Sequence, residues 1–190
     1  MRKLKLQVQT TVDGYMGGPN GEMDWIHFPW TADINTVVGE INAPIGTILL
    51  GRKLAEGFIP HWANVAADAN NPEYEAGLLF SNTPKIVFSN TLKESPWANT
   101  VIAGEDVTTT VEKLKQTEGG DIIAYGGSSF ISSLIQTGLV DEYNFFINPS
   151  AIGKGLPIFG NLQEKLKLQF KKAVAFECGI AWLQYAKAES

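Results

Sequence analysis

Short apolar runs alternate with segments of helical periodicity along most of the chain. Residues 4–10 alternate apolar and polar side chains, as a strand with one covered face should. Further apolar runs follow, and amphipathic stretches lie between them. The predicted strands are Leu4–Thr10, Thr47–Leu50, Lys85–Ser89, Thr100–Ala103 and Asp121–Tyr125. The predicted helices are Asp33–Asn42, Lys53–Phe58, Glu73–Ser81, Val107–Gln116 and Ser129–Thr137.

The last part of the chain departs from this alternation. Glu142–Ile147 predicts another strand, and a loop rich in glycine and proline follows it. Leu166–Phe176 and Ile180–Ala186 then predict two strands separated by a very short turn, which favours an antiparallel hairpin. Because the earlier order of strand, helix and strand implies crossover connections, we expect an α/β fold with a mixed, mostly parallel sheet closed by this hairpin. The length and the absence of linkers predict one domain over residues 1–190.

Composition and charge narrow the picture mainly by exclusion. The formal net charge of −5 argues against nucleic acid as the main partner, because phosphate backbones require a basic face. No apolar run is long enough to cross a membrane, and Met1–Leu6 lacks the apolar core of a signal peptide. We therefore expect a soluble protein in the cytoplasm.

The residues that commonly bind metals or act as nucleophiles are few. The single cysteine, Cys178, excludes an internal disulfide and two-cysteine zinc motifs, and it is interpreted as a buried structural thiol. His27 and His61 each neighbour aromatic residues and have no carboxylate at a spacing typical of a metal site or catalytic dyad. Both are interpreted as structural, and no metal site is predicted.

The junction Gly51-Arg52-Lys53 suits an anionic ligand. A strand ends here in glycine, which lets a ligand approach the backbone, and two cations follow at a predicted helix start. Cations oppose the helix dipole at that position, which makes sense where an anion binds. A solvent-exposed basic pair after a turn explains the same residues equally well.

A second junction, Gly126-Gly127-Ser128-Ser129, also lies between a predicted strand and a predicted helix. The glycines permit a tight turn, and the helix start offers unpaired N–H groups and serine hydroxyls to a pyrophosphate. An ordinary loop with a helix N-cap is the alternative. Neither the six-residue Gly-x-Gly-x-x-Gly fingerprint nor a Walker motif is present.

The first strand is followed by a long glycine-rich segment, Thr10–Gly21. Such a segment can act as a mobile lid over an active site, and a disordered surface loop is the alternative. The apolar and aromatic residues that follow it, Met23, Trp25 and Ile26, favour packing onto the rest of the domain.

Taken together and in this order, these segments resemble the dihydrofolate reductase superfamily. The strongest resemblance is to the reductase domain of bifunctional riboflavin-biosynthesis deaminase–reductases and to its stand-alone relatives. It spans nearly the whole chain and rests on Thr11–Gly14, Ile48–Lys53, Ile86–Asn90, Ile123–Gly127, Leu139–Glu142 and Gly153–Phe159. The zinc motifs of the deaminase half, His-x-Glu and Cys-x-x-Cys, do not occur in this sequence.

The resemblance implies a three-layer dihydrofolate-reductase-like fold with NADPH lying across the strand ends. Arg52 would approach the adenosine 2′-phosphate, and Ser89 and Asn90 would line the same pocket. Lys53 would lie near the pyrophosphate, beside the backbone at Gly51. The groups that would bind the pyrophosphate are those of Gly126, Gly127, Ser128 and Ser129.

On the substrate side, the resemblance points to two carboxylates. Asp13 matches an aspartate at the rim of the substrate site of riboflavin-type reductases, although it would also suit a turn before Gly14. Asp33 resembles the acidic residue that holds the pterin in dihydrofolate reductases, with helix capping as the alternative. Three departures argue against folate itself: Ser128 replaces an arginine, Leu54 replaces a threonine, and the loop after the first strand lacks Trp-Pro.

The implied activity is NADPH-dependent hydride transfer to a small heterocycle. The substrate would be a pyrimidine such as 5-amino-6-(5-phosphoribosylamino)uracil, or a pterin or dihydrofolate-like compound, with the Gly14–Gly21 segment closing over the nicotinamide. Two alternatives stay open: a catalytically degenerate nucleotide-binding module, and an NADPH reductase of another carbonyl or imine compound. The apolar C-terminal strands and Leu139-Val140 also predict a homodimer.

Overall fold

A computed structural model describes residues 1–188, which form an α/β fold of eight strands and five helices. The strands are β1 (Leu4–Thr11), β2 (Ile45–Gly51), β3 (Lys85–Phe88), β4 (Thr100–Ile102), β5 (Asp121–Tyr125), β6 (Glu142–Asn148), β7 (Leu168–Ala175) and β8 (Ala181–Lys187). The helices are α1 (Ala32–Asn42), α2 (Arg52–Ala66), α3 (Tyr74–Asn82), α4 (Val107–Gln116) and α5 (Ser128–Gln136).

All eight strands form one sheet in the order β4-β3-β2-β5-β1-β6-β8-β7. Strands β1 to β6 pair in parallel, β8 runs antiparallel to β6, and β7 runs antiparallel to β8. The predicted mixed, mostly parallel sheet and its C-terminal hairpin are therefore confirmed. Because each parallel connection returns through a crossover, the carboxyl ends of β1 to β6 all lie at one edge of the sheet.

Helices cover both faces of the central strands, which explains why these strands are apolar on both sides. Leu4, Leu6 and Leu49 are buried in the core under α4 and α5. The other core lies under α1, α2 and α3, and it contains Ile48 and Leu50 from β2. The three layers of a dihydrofolate-reductase-like fold, helices over sheet over helices, follow from this division.

Helix α2 is much longer than the predicted Lys53–Phe58. It continues through Pro60 to Ala66, although proline removes one backbone hydrogen bond. Tertiary packing explains the extension: Phe58 and Trp62 pack on Phe80 of α3, with ring centroids 5.4 and 4.6 Å apart. The other predicted element boundaries differ from the structure by no more than two residues.

The edge of the sheet opposite the carboxyl ends is fixed by polar contacts. The Asp141 carboxylate accepts the backbone N–H of Leu4 at 2.7 Å and pairs with Lys115 at 2.6 Å. Val140, beside it, is fully buried in the core. The expectation that Leu139-Val140 contributes to a dimer interface is therefore wrong for Val140, which the protomer's own core already covers, and stays a prediction for the partly buried Leu139.

Cys178 and His61 are more exposed than a position in the core would be. Cys178 lies in the turn between β7 and β8 and is only partly buried, because a two-stranded hairpin leaves its turn near solvent. His61 is exposed and contacts the edge of Trp62. No helix within residues 1–188 is long and apolar enough to span a membrane.

Candidate functional site

The strand register brings together the residues predicted to bind a cofactor. Gly51 at the end of β2 pairs with Phe88 at the end of β3, and Leu50 pairs with Tyr125 at the end of β5. The three segments that follow these strands therefore leave the sheet side by side at its carboxyl edge. They contain Gly51, Arg52, Lys53, Ser89, Asn90, Gly126, Gly127, Ser128 and Ser129.

Two helices begin at this edge without a side-chain cap. The N-caps of α2 and α5 are Gly51 and Gly127, and neither start has a side-chain hydrogen bond to its first turn within the described residues. Helix α4 provides the contrast, because the Asp106 carboxylate accepts the N–H of Thr109 at 3.0 Å. The first N–H groups of α2 and α5 therefore remain available to an anionic ligand, whose charge the two helix dipoles would favour.

Packing, rather than ligand approach, requires two of the glycines. A Cβ atom at Gly51 would lie 2.9 Å from the Phe130 Cβ, and one at Gly126 would lie 2.5 Å from the Phe130 Cδ1. Phe130 in turn stacks on Phe88, with ring centroids 5.1 Å apart. At Gly127, by contrast, a Cβ would meet no heavy atom within 4 Å. The open space next to the backbone is thus at Gly127.

The two cations at the start of α2 differ in their surroundings. The Arg52 guanidinium pairs with the Glu56 carboxylate one turn later, and both side chains are partly exposed. Lys53 is exposed and forms no ion pair within the described part of the chain. Exposed i,i+4 pairs contribute little stability, so an incoming phosphate can displace Glu56 from Arg52.

The hydroxyl groups predicted to bind phosphate are partly used within the protein. Ser128 Oγ donates to the Pro157 carbonyl at 3.1 Å. Ser89 Oγ accepts the N–H groups of Thr91 and Leu92 at 3.1 and 2.9 Å and so shapes the turn after β3. Ser129 and Asn90 are exposed at the same edge. Of the predicted hydroxyls, that of Ser129 is therefore the one left unbonded within residues 1–188.

Asp13 fastens the turn after β1 to a second loop. Its carboxylate accepts the N–H groups of Ile152 and Gly153 at 3.1 and 2.7 Å. The Thr11 hydroxyl and then the Gly153 N–H lower the pKa of Asp13 below its usual value. Asp13 is exposed at this rim, so its remaining acceptor capacity faces solvent.

The Thr10–Gly21 segment is ordered by backbone pairing with residues 150–157. Val12 N–H donates to the Ser150 carbonyl at 2.8 Å, and Met16 N–H donates to the Leu156 carbonyl at 2.9 Å. Leu156 N–H donates back to Gly17 at 2.9 Å. A disordered surface loop is therefore ruled out, and closure of Gly14–Gly21 over a cofactor stays a prediction that requires both segments to move together.

Asp33 links the start of α1 to the hairpin turn between β7 and β8. One carboxylate oxygen accepts the Glu177 N–H at 3.0 Å, and the other accepts the Thr31 hydroxyl. Both hydrogen bonds lower the pKa of Asp33 below its usual value, and the bond from the Thr31 hydroxyl has the larger effect. Like Asp13, Asp33 is an ionised hydrogen-bond acceptor at neutral pH.

The sequence gives little sign of Asn148, the last residue of β6. It is fully buried, its Oδ1 accepts the His27 backbone N–H at 2.9 Å, and its Nδ2 donates to Gln9 Oε1 at 2.8 Å. Ser150 Oγ donates to the Trp25 carbonyl at 3.1 Å. Together these bonds hold the segment before α1 over the carboxyl edge. No local pattern marks this residue, because β6 also contains Glu142 and Asn144.

Two surface cavities lie beside this edge and opposite it. One, of about 380 Å³, lies between β4 and α4 and is lined by Ile86, Ile102, Gly104, Thr110 and Leu114 among others. Another, of about 550 Å³, lies at the opposite edge beside Arg2 and Asp121. Neither is lined by a predicted site residue, so the candidate site is an open strand-end surface rather than either cavity.

This chain is similar to known proteins in sequence and in fold. Residues 2–182 match the model of the RibD C-terminal domain family. The uncharacterized protein YyaP of Bacillus subtilis (strain 168) is 31% identical over 186 residues, which cover 97% of this chain and 94% of YyaP. The match to a solved structure from Shewanella sp. PV-4 covers 100% of both chains, with a TM-score of 0.75 and 20% identity.

Two further solved structures are those of named enzymes. The diaminohydroxyphosphoribosylaminopyrimidine deaminase/5-amino-6-(5-phosphoribosylamino)uracil reductase of Thermotoga maritima has a TM-score of 0.68 and 18% identity, and the match covers 98% of this chain and 57% of that one. Dihydrofolate reductase from Enterococcus faecalis, complexed with NADP(H), has a TM-score of 0.61 and 15% identity, with 98% and 97% covered. The dihydrofolate-reductase-like fold predicted from the sequence is confirmed.

The contrast between the two adjacent glycines gives a testable prediction about stability. Gly126→Ala forces a methyl group into the Phe130 ring, so we expect a loss of about 1–3 kcal/mol in the free energy of unfolding. Gly127→Ala meets open space, so we expect little change. Urea unfolding of both variants measures the difference, and equal midpoints for the two variants would contradict the packing argument.

Proposed function

The chain belongs to the RibD C-terminal domain family, and we propose that it is an NADPH-dependent reductase that transfers a hydride to a small heterocycle. One observation carries the proposal: two helix starts without side-chain caps converge, with Arg52 and Lys53, on a single edge of the sheet. Because the protein as a whole has a net charge of −5, donors and cations gathered at one edge indicate a binding site for an anion.

The chemistry of this edge fits a dinucleotide phosphate. The open space at Gly127 admits a pyrophosphate to the N–H groups at the start of α5, and the Ser129 hydroxyl is a further donor. Lys53, in the first turn of α2, would balance the pyrophosphate charge. Asn90 and the Ser89 hydroxyl proton would complete the set of donors on the β3 side.

Arg52 supports NADPH over NADH. A guanidinium donates a planar fork of hydrogen bonds, which matches the oxygens of a 2′-phosphate that NADH lacks. In the ligand-free protein Glu56 occupies this fork through an exposed pair, so phosphate binding replaces one weak ion pair by a stronger one. Glu56 is therefore a competitor that reduces the affinity.

The chain's own contribution to the reaction would be orientation and exclusion of water. When bound, NADPH would supply the hydride. Asp13 and Asp33 are hydrogen-bond acceptors at this edge, and we assign them to ring N–H groups of the substrate. Since their pKa values are lowered, neither carboxyl holds a proton at neutral pH. The proton that accompanies the hydride would then arrive through ordered water.

The substrate we favour is a pyrimidine of the kind named for the Thermotoga maritima enzyme, 5-amino-6-(5-phosphoribosylamino)uracil or a close analogue. A pterin or dihydrofolate-like compound is the other member of the same class. Both kinds of ring carry N–H groups beside carbonyl oxygens. The ring N–H groups can donate to Asp13 and Asp33, and the carbonyl oxygens can accept from nearby donors of the protein.

The preference for NADPH is tested by removing the guanidinium. We expect Arg52→Ala to weaken NADPH binding about tenfold or more and to leave NADH binding nearly unchanged, because a charge-assisted bidentate contact is lost. We expect Glu56→Gln to tighten NADPH binding slightly, since it frees Arg52. Titration by tryptophan fluorescence quenching measures each dissociation constant.

Lys113→Ala is the matched control for that titration. It removes one cation and breaks an exposed ion pair with Glu105, but it lies on α4 away from the predicted cofactor residues. Equal losses for Arg52→Ala and Lys113→Ala would mean that only net charge matters. Absence of NADPH binding to the unmodified protein would refute the proposed function itself.

The role of the two carboxylates is tested by amide substitution. We expect Asp13→Asn and Asp33→Asn each to lower kcat/KM at least tenfold on a panel of uracil-type and pterin substrates, because each loses a charged acceptor. The affinity for NADPH should not change. Since the lowered pKa values keep both groups ionised at neutral pH, the unmodified enzyme should lose activity only on acidification below the usual carboxylate range. Unchanged kcat/KM in both variants would contradict the assignment.

We also propose a homodimer through the aromatic face of the C-terminal strands. Phe170 is 58% exposed and contacts Tyr185, which packs on Phe145. Edge-to-edge pairing through β7 is disfavoured, because lysines and a register shift between Phe170 and Lys172 interrupt that edge. An isologous contact between two such aromatic faces would bury them.

Light scattering tests this assembly. We expect the mass of a dimer for the unmodified protein and that of a monomer for Phe170→Lys, because a charge placed at the centre of an apolar contact is costly. Val101→Lys, at an equally exposed apolar position on β4, is the control and should remain dimeric. A monomeric unmodified protein would refute the proposed assembly.

A further inference from the structure

A chain of hydrogen bonds with a defined direction runs along the end of β6 and β1. Asn148 accepts the backbone N–H of His27 and donates to Gln9, and it has no exposed surface. Gln9 lies near the end of β1, in register with Phe146, whose ring packs in the core under α1. The Gln9 side chain therefore occupies the α1 face of the sheet, close to the carboxyl edge.

The direction of these bonds is fixed by the backbone. A peptide N–H can only donate, so the Asn148 atom facing His27 must be the amide oxygen. The Asn148 nitrogen then points to Gln9, and the Gln9 atom that meets it must be an oxygen. Rotating either amide by 180° would place two donors or two acceptors against each other.

The consequence is that Gln9 presents its Nε2 hydrogens away from Asn148. This nitrogen forms no hydrogen bond within the described residues, and it does not belong to the buried unpartnered atoms there. It is thus a donor that solvent or a ligand can reach. An amide that was free to rotate would offer either polarity, whereas this one offers only a donor.

A second unsatisfied donor belongs to the same region. The indole N–H of Trp30 is buried and has no partner within residues 1–188. Trp30 lies just before α1, in the segment that Asn148 and Ser150 hold in place, and it packs against the core under α1. Buried donors normally have a hydrogen-bond acceptor, so we expect a ligand atom or a water molecule to accept from the Trp30 indole N–H.

We infer that Gln9 is a specificity residue whose amide donates to a carbonyl oxygen of the bound ligand, with Asn148 as the residue that positions it. The inference rests on the proposed function, because it assigns a polarity to the ligand of that site. It implies an oxo-heterocycle, with a ring carbonyl, in preference to an amino-heterocycle that presents N–H groups at the same positions. The nicotinamide carboxamide of the cofactor carries the same kind of oxygen and is the other possible source.

Gln9→Glu replaces the amide nitrogen that faces the ligand by a carboxylate oxygen and adds one negative charge. One carboxylate oxygen still accepts from Asn148, while the other replaces the donor by an acceptor. Gln9→Met removes the donor without adding charge. Asn148→Asp keeps the acceptor for His27 but loses the donor, so Gln9 must turn its nitrogen inwards and present its oxygen to the ligand.

The test compares two pyrimidines that exchange ring carbonyls for amino groups, 5,6-diaminouracil and 2,4,5,6-tetraaminopyrimidine, together with NADPH. Because this exchange also turns ring N–H groups into acceptors, the evidence is the change of preference between variants, not the preference of the unmodified protein alone. Dissociation constants are measured by fluorescence titration of the whole chain, with Gln116→Glu, an exposed glutamine on α4, as the control. We expect the unmodified protein to prefer the uracil about tenfold, and Gln9→Glu and Asn148→Asp to abolish or reverse that preference. Trp30→Phe should reduce it by a smaller factor.

Each outcome separates this inference from the proposed function. One outcome is that Gln9→Glu and Gln9→Met change the affinity for NADPH but not the preference between the two pyrimidines. This result supports the donor role of Gln9 and assigns the accepting oxygen to the cofactor. If the variants bind all three ligands as the unmodified protein does, the inference is overturned. The same holds if neither pyrimidine binds and the affinity for NADPH is unchanged. In both cases binding of NADPH leaves the proposed function standing. Loss of NADPH binding in the unmodified protein refutes the proposed function instead.

Discussion

The parallel register of β3, β2, β5, β1 and β6 is the constraint on which the rest of the structure depends. Because these strands run in one direction, every connection after them begins at the same edge, and two of the connections turn directly into helices. The N–H groups of α2 and α5, the basic residues after β2 and the turn after β1 are neighbours for this reason alone. Packing fixes their spacing, since Phe130 fills the space that side chains at Gly51 and Gly126 would need.

The two sides of this edge are also connected mechanically. Residues 150–158 pair with the turn after β1, accept Ser128 and Ser132 from α5, and hold Asp13 through two backbone N–H groups. The start of α5 and the Asp13 turn therefore both contact one continuous segment. In a reductase this arrangement would couple the cofactor side to the substrate side without a separately hinged lid.

The residues along the chain predict the elements, the mixed sheet and the two strand–helix junctions that we propose as phosphate sites, because periodicity and glycine placement are local properties. The length of α2 could not be predicted, since contacts with Phe80 on another helix carry it past Pro60. The sequence interpretation takes Gly51 as ligand access and Gly126 as freedom for a tight turn, whereas both positions are also required by the Phe130 side chain, which packs against them. The Asn148–Gln9 contact joins residues 139 positions apart, and no local pattern encodes it.

Hydrogen–deuterium exchange with and without NADPH tests the central claim most directly, that the two helix starts at the carboxyl edge form one phosphate site. The account predicts slower exchange at residues 52–54 and 128–130 when NADPH is present, with no change at the Asp106-capped start of α4. Slower exchange confined to the groove between β4 and α4, or none at either helix start, would contradict it.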